Sequence, residues 1–85
     1  MSKLLVMYSS GTTTSRLKRL MEKENRNARV VQVPKYLSKH GCSFGLSIDE
    51  ANLRRLLELS KEIDVKHRGI FIEKHTSEGQ EYIPY

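Results

Sequence analysis

RVVQVPKYLSKHGCSFGLSI, residues 29–48, holds two strands with no helix between them, and the architecture of the whole chain turns on that. The β-branched content of Arg29–Val33 predicts a strand. Pro34 ends it, because proline cannot donate to a ladder. Phe44, Leu46 and Ile48 alternate with Gly45 and Ser47, a period of two that predicts another strand with one face buried. Pro34 through Cys42 then forms a connection of nine residues, longer than a hairpin needs. Connections of this kind carry function more often than the elements they join.

Each of these strands has a helix beyond it. Upstream, Lys3–Tyr8 (KLLVMY) is a short apolar run bounded by Ser9-Ser10-Gly11, which suits a buried strand. In the following SSGTTT turn, Thr12, Thr13 or Thr14 can act as N-cap by accepting an orphan backbone N–H. Leu17, Leu20 and Met21 fall at i, i+3, i+4 spacing, so a helix with one apolar stripe runs to about Lys23 or Glu24 and stops in Asn25-Arg26-Asn27. Downstream, Asp49 is placed to cap a second helix. Its stripe is Leu53, Leu56, Leu57 and Ile63, with Glu58, Lys61 and Glu62 outward. Gly69–Lys74 supplies a fourth strand. His75 to Tyr85 is polar until Tyr82-Ile83-Pro84-Tyr85 and fits a frayed tail or an edge strand.

The order βαββαβ, with right-handed crossovers, predicts an α+β ferredoxin-like sandwich. Its sheet would have four antiparallel strands with both helices on one face. Residues 1–75 would form this single domain, and 76–85 the tail or edge strand.

Composition sets the bounds. With 85 residues and 38% apolar content, the chain can fill one core and no second layer. No run of about eighteen apolar residues is present to span a membrane. MSKLLVMYSS lacks a small-residue cleavage site and reads as the first strand rather than a signal peptide. One cysteine allows no internal disulfide, and a reducing cytoplasm fits. The formal net charge of +5 favours an anionic partner. Yet Arg16, Lys18, Arg19, Lys23, Arg54 and Arg55 are spread over two helices, with no aromatic residue interleaved for base stacking, and read as a solvated face.

The candidate for chemistry is Cys42, the only thiol, beside Gly41 and Gly45 with Lys39 and His40 just upstream. In the expected topology strands one and two run toward the same end of the sheet. The SSGTTT turn and the Cys42 loop then share an edge. A helix N-terminus there presents unpaired N–H groups and about half a positive charge. Lys39 and His40 add to it. Such surroundings would favour a thiolate or a bound oxyanion, and lower the thiol below its free value of about 8.5. The competing reading is a compact hydrophobe in the core, since Cys42 is in phase with the buried face of Phe44. Ser9, Ser10 and the threonines are, on the same footing, caps and turn formers.

Other sites fall away. One cysteine with His40, His67 and His75 gives no metal-ligand spacing, so neither metal nor cofactor is expected. SSGTTTS lacks the lysine and second glycine of a P-loop. A cysteine–histidine hydrolase would have little room for a substrate cleft. Glu50, Asp64 and Glu73 show no pairing for acid–base work and read as surface charges.

The chain resembles the small bacterial Se/S carrier protein-like family, sulfur or selenium carriers with one cysteine before the third strand. The resemblance covers most of residues 3–74. It rests on the opening strand ending in serine, the Val31-Gln32-Val33-Pro34 strand end, Leu37-Ser38 leading to Gly41-Cys42, the Asp49-capped helix and a closing strand from Gly69-Ile70. Family members usually place glycine directly after the cysteine, whereas here Ser43-Phe44 precede Gly45. The resemblance implies a carrier rather than a self-sufficient enzyme. Cys42 would accept sulfane sulfur or selenium from a donor protein and present it to an acceptor protein. Ser9, Ser10, Gly11, Thr12, Thr13, Ser38, Lys39, His40 and Gly41 would hold the terminal anion.

Two other functions compete. One is a small basic binding module for RNA or protein docking, which the fold permits, although no strand carries the paired exposed aromatics of an RNA-recognition sheet. The other is an oligomerising unit whose Tyr82–Tyr85 tail adds to a neighbour's sheet edge.

Overall fold

The computed structural model describes residues 3–37 and 44–85. In chain order these form β1 (Lys3–Tyr8), α1 (Gly11–Lys23), β2 (Ala28–Gln32) and β3 (Phe44–Asp49). A 3-10 turn (Glu50–Asn52), α2 (Leu53–Glu62), β4 (Gly69–Thr76) and β5 (Gly79–Pro84) follow. The strands make one sheet in the order β2-β3-β1-β4-β5, every neighbouring pair antiparallel.

The expected four-stranded ferredoxin-like sandwich is corrected by this finding: the sheet has five strands, accompanied by two helices. The fifth comes from the stretch that sequence left between tail and edge. β5 pairs with β4 from Thr76 opposite Gly79 to Phe71 opposite Pro84. A Ser77-Glu78 turn joins them. Thr76 Oγ1 accepts from the Glu78 N–H (3.3 Å) and donates to the Gly79 carbonyl (2.9 Å). Gly79 adopts φ 129°, a backbone conformation other residues rarely take. The chain end is held too, because the Tyr85 N–H donates to the Ile70 carbonyl (3.0 Å). The strand proposed to join a neighbour's sheet thus pairs with the chain's own β4.

Alternation along β1 assigns the two faces. Leu4, Val6 and Tyr8 point to the helices. With Leu46 and Ile48 of β3, Leu17 and Met21 of α1, and Leu56 and Leu59 of α2, they form the main core. Leu59 belongs to this core, whereas the expected Leu57 is half-buried outside it. Leu56 and Leu59, at i, i+3 spacing within α2, carry the buried stripe. Asp49 does not cap that helix; its carboxylate pairs with Lys3, directly opposite it on β1 (3.1 Å).

Leu5 and Met7 point the other way, into a second cluster with Val33, flanked by Val31, Leu37, Phe71 and Tyr82. Both faces of β3 are therefore covered, Gly45 and Ser47 being buried, where one buried face and a single core were expected. Two local causes act. Leu5 leans over Gly45 so closely that a Cβ there would stand 2.6 Å from Leu5 Cδ1. After β2, a turn closed by the Leu37 N–H on the Pro34 carbonyl (3.0 Å) lays Leu37 on the same cluster as Val33.

Both helices end in a left-handed residue other than glycine, Asn25 (φ 59°) and Asp64 (φ 57°). Arg26 N–H reaches the Met21 carbonyl and Val65 N–H the Ser60 carbonyl, satisfying groups that a helix end leaves orphaned.

Candidate functional site

The sheet register brings three connections to one rim. β1 ends at Tyr8, which lies opposite Phe44, the first residue of β3. Gln32, the last of β2, also lies opposite Phe44. β4 begins at Gly69 opposite Met7, and the Arg68 N–H donates to the Met7 carbonyl (2.7 Å), pinning the α2–β4 turn to the same rim. The β1–α1 turn, the β2–β3 connection and the α2–β4 turn therefore meet at the end of the sheet where α1 begins.

Ser10, not Thr12, Thr13 or Thr14, is the N-cap of α1. Its Oγ accepts from the Thr13 N–H (3.4 Å), and Thr14 Oγ1 donates to the Ser10 carbonyl (2.8 Å). The cap sits early because of Gly11. A Cβ at Gly11 would meet the Phe44 ring at 3.2 Å, so the aromatic ring packs onto the first residue of the helix. Ser9 and Thr12 are exposed, Ser10, Gly11 and Thr13 half-exposed. The first turn holds no acidic side chain, so its positive end is not neutralised from within. Of the expected site residues, Ser9, Ser10, Gly11, Thr12 and Thr13 are brought together at this turn. Ser38, Lys39, His40, Gly41 and Cys42 lie outside the described residues. Their flanks are described: Leu37 packs on the second cluster and Phe44 over Gly11.

Behind the rim, the buried Tyr8 hydroxyl meets Ser60 Oγ at 2.7 Å, and Ser60 Oγ donates to the Leu56 carbonyl (2.9 Å). The Ser60 proton is thereby committed, so Tyr8 is the donor in the first bond. Burial pushes the Tyr8 phenol above its ordinary range.

Sequence reasoning missed the α2–β4 turn. Lys66, His67 and Arg68 are all exposed there, beside Lys61 in the last turn of α2. Together with Leu57, Ser60 and Val65, Lys61, Lys66 and His67 line a cavity of about 320 Å³. The signal was available in the element order, since a crossover returning to a strand beside β1 must end near where β1 ends.

The helix-free face also departs from expectation. Glu73, read as a surface charge, is buried, and its carboxylate accepts from Gln80 Nε2 (3.3 Å). Phe71 and Tyr82, diagonal neighbours across β4 and β5, pack half-buried on the Leu5–Met7 cluster. Burial, with the nearby Glu73 charge, pushes the Tyr82 phenol up. Both rings pack against this cluster and stay partly exposed. Among the described residues, no group of three or more His, Cys, Asp or Glu is arranged to hold a metal ion. No helix among them is long and apolar enough to cross a membrane.

The family model described as "Putative Se/S carrier protein-like" matches residues 3–72. No curated protein and no solved structure matches the chain.

Proposed function

Because the chain belongs to the Se/S carrier protein-like family, we propose that it carries sulfur or selenium on the Cys42 thiol between a donor and an acceptor protein. In loading, the Cys42 thiolate attacks the outer sulfur of a donor persulfide. The donor's S–S bond breaks, its electron pair leaves on the donor thiolate, and Cys42 becomes a persulfide. In delivery, an acceptor thiolate attacks that terminal sulfur and the Cys42 thiolate is released. One sulfur atom moves at each step with no net oxidation, and selenium follows the same course as a perselenide.

The observation that carries this reading is the contact of Phe44 with Gly11. It ties the chain two residues beyond Cys42 to the first residue of a helix whose opening turn has no acidic side chain. A terminal persulfide anion within reach of that turn would gain from its N–H groups. In this reading Ser9, Ser10, Gly11, Thr12 and Thr13 stabilise the anion from one side, and Ser38, Lys39, His40 and Gly41 from the other. Ser10 Oγ accepts from the Thr13 N–H through a lone pair, which leaves its hydroxyl proton to donate to the anion. The test is chemical. Incubation with glutathione persulfide should add the mass of one sulfur to the wild type and none to Cys42→Ala, and equal behaviour of the two would remove the carrier reading. The pH profile of Cys42 alkylation should have its midpoint below the free-thiol value of about 8.5.

A further inference from the structure

We propose that the α2–β4 turn is the docking surface for an acidic segment of the carrier's partner protein, a proposal that rests on the carrier reading and adds where the partner binds. Lys61, Lys66 and His67 line one cavity there, and the exposed Arg68 follows them in the chain. Among the described residues, Lys61, Lys66 and Arg68 take part in no ion pair, a state they share with most of the chain's exposed cations; what sets them apart is their adjacency at one turn. Glu62 turns to the opposite flank of α2, toward Arg55 (3.6 Å). Asp64 is the remaining carboxylate of the turn.

Lys61, in the last turn, also complements the negative end of α2, whereas Lys66 and Arg68 lie beyond the helix and do not. Between the cations lies the cavity of about 320 Å³, with Leu57 and Val65 contributing aliphatic lining. Its size suits one or two side chains, so the surface matches a segment with acidic residues on either side of an aliphatic one. A nucleic acid fits less well, because His67 is the one ring in the lining and no Phe, Tyr or Trp joins it as a stacking platform. The Arg68–Met7 backbone bond holds the turn on the rim where β2 ends and β3 begins, so a partner seated there would lie at the same end of the sheet as the β2–β3 connection.

The probe is a short peptide with two glutamates on each side of a leucine, titrated into the ¹⁵N-labelled full chain. The amides of Lys61, Val65, Lys66, His67 and Arg68 should shift together. Binding should weaken by about tenfold or more between about 0.05 and 0.5 M salt. The variant Lys61→Gln/Lys66→Gln/Arg68→Gln should weaken it by about tenfold, while its unshifted resonances report that the fold is kept. Cys42→Ser should bind the peptide like the wild type. Shifts scattered over the surface, no shift, or tighter binding of an oligouridine at the same residues would each overturn the proposal. Loading of Cys42 by glutathione persulfide needs no docking. It should be unchanged in the triple variant, so a wild type that fails to load would sink the carrier reading while leaving the docking result to stand by itself.

Discussion

Ser60 is the residue on which the interior behind the rim depends most, and its role is asymmetric. Tyr8→Phe removes one buried hydrogen bond and leaves Ser60 still bonded to Leu56. Ser60→Ala leaves the Tyr8 hydroxyl, fully buried, with its observed partner gone. Thermal unfolding should therefore show a loss of about 1 kcal/mol for the first and a larger one, up to about 3 kcal/mol, for the second. The phenol adds a pH dependence. The folded state holds the Tyr8 proton above its ordinary value of about 10, so the unfolded chain releases it first as pH rises. Stability is then complete below about pH 10 and falls above it, and Tyr8→Phe should make that alkaline decline shallower. Gly45 is decided by packing. Its added Cβ would stand 2.6 Å from Leu5 Cδ1 and 3.0 Å from the Val6 carbonyl. Gly45→Ala should cost about 1–3 kcal/mol in chemical denaturation. A cost near zero would show that Leu5 yields.

The elements were legible where periodicity is strong and obscure where pairing decides. KLLVMY and FGLSID declare themselves as strands because their neighbours on the helix side are continuous apolar rows. β5 does not, since Gly79, Gln80 and Glu81 are exposed on an edge strand and carry no alternation. Only a partner, β4, reveals it. The α2 cap failed for a similar reason: Asp49 faces Lys3 across a strand pair, a contact invisible along the chain. Helix-to-helix contact adds a further device that the sequence did not announce. Arg55 grips Glu24 at the end of α1 with two bonds, Nε to Oε1 at 2.8 Å and Nη2 to Oε2 at 2.7 Å, and Arg26 joins Glu24 to Asn52. The Arg55 hydrogen bond holds the Glu24 carboxyl below its ordinary value of 4.5. The unfolded chain takes up that proton first as pH falls, so this contribution is present above about pH 4.5 and lost in acid. Glu24→Gln should flatten the acid limb of the stability curve. An unchanged limb would mean that the pair is too solvated to matter.

At the scale of the molecule, a sheet with a helix layer on one face and a small apolar cluster on the other gathers three connections at one rim. Two of them, the β1–α1 turn and the β2–β3 connection, were foreseen from the parallel course of β1 and β2. The third, with Lys66, His67 and Arg68, was passed over because those residues follow no motif and matter only through where the crossover ends. The family was legible in the order of elements and in the Gly41-Cys42 stretch, and the match over residues 3–72 bears that out. What the family name leaves finer is whether sulfur rides on this thiol. Intact-protein mass spectrometry after exposure to a persulfide donor answers it most directly. The account predicts a gain of one sulfur on wild type, reversed by a thiol acceptor and absent from Cys42→Ala. A wild type that gains nothing, or a Cys42→Ala variant that gains as much, would contradict it.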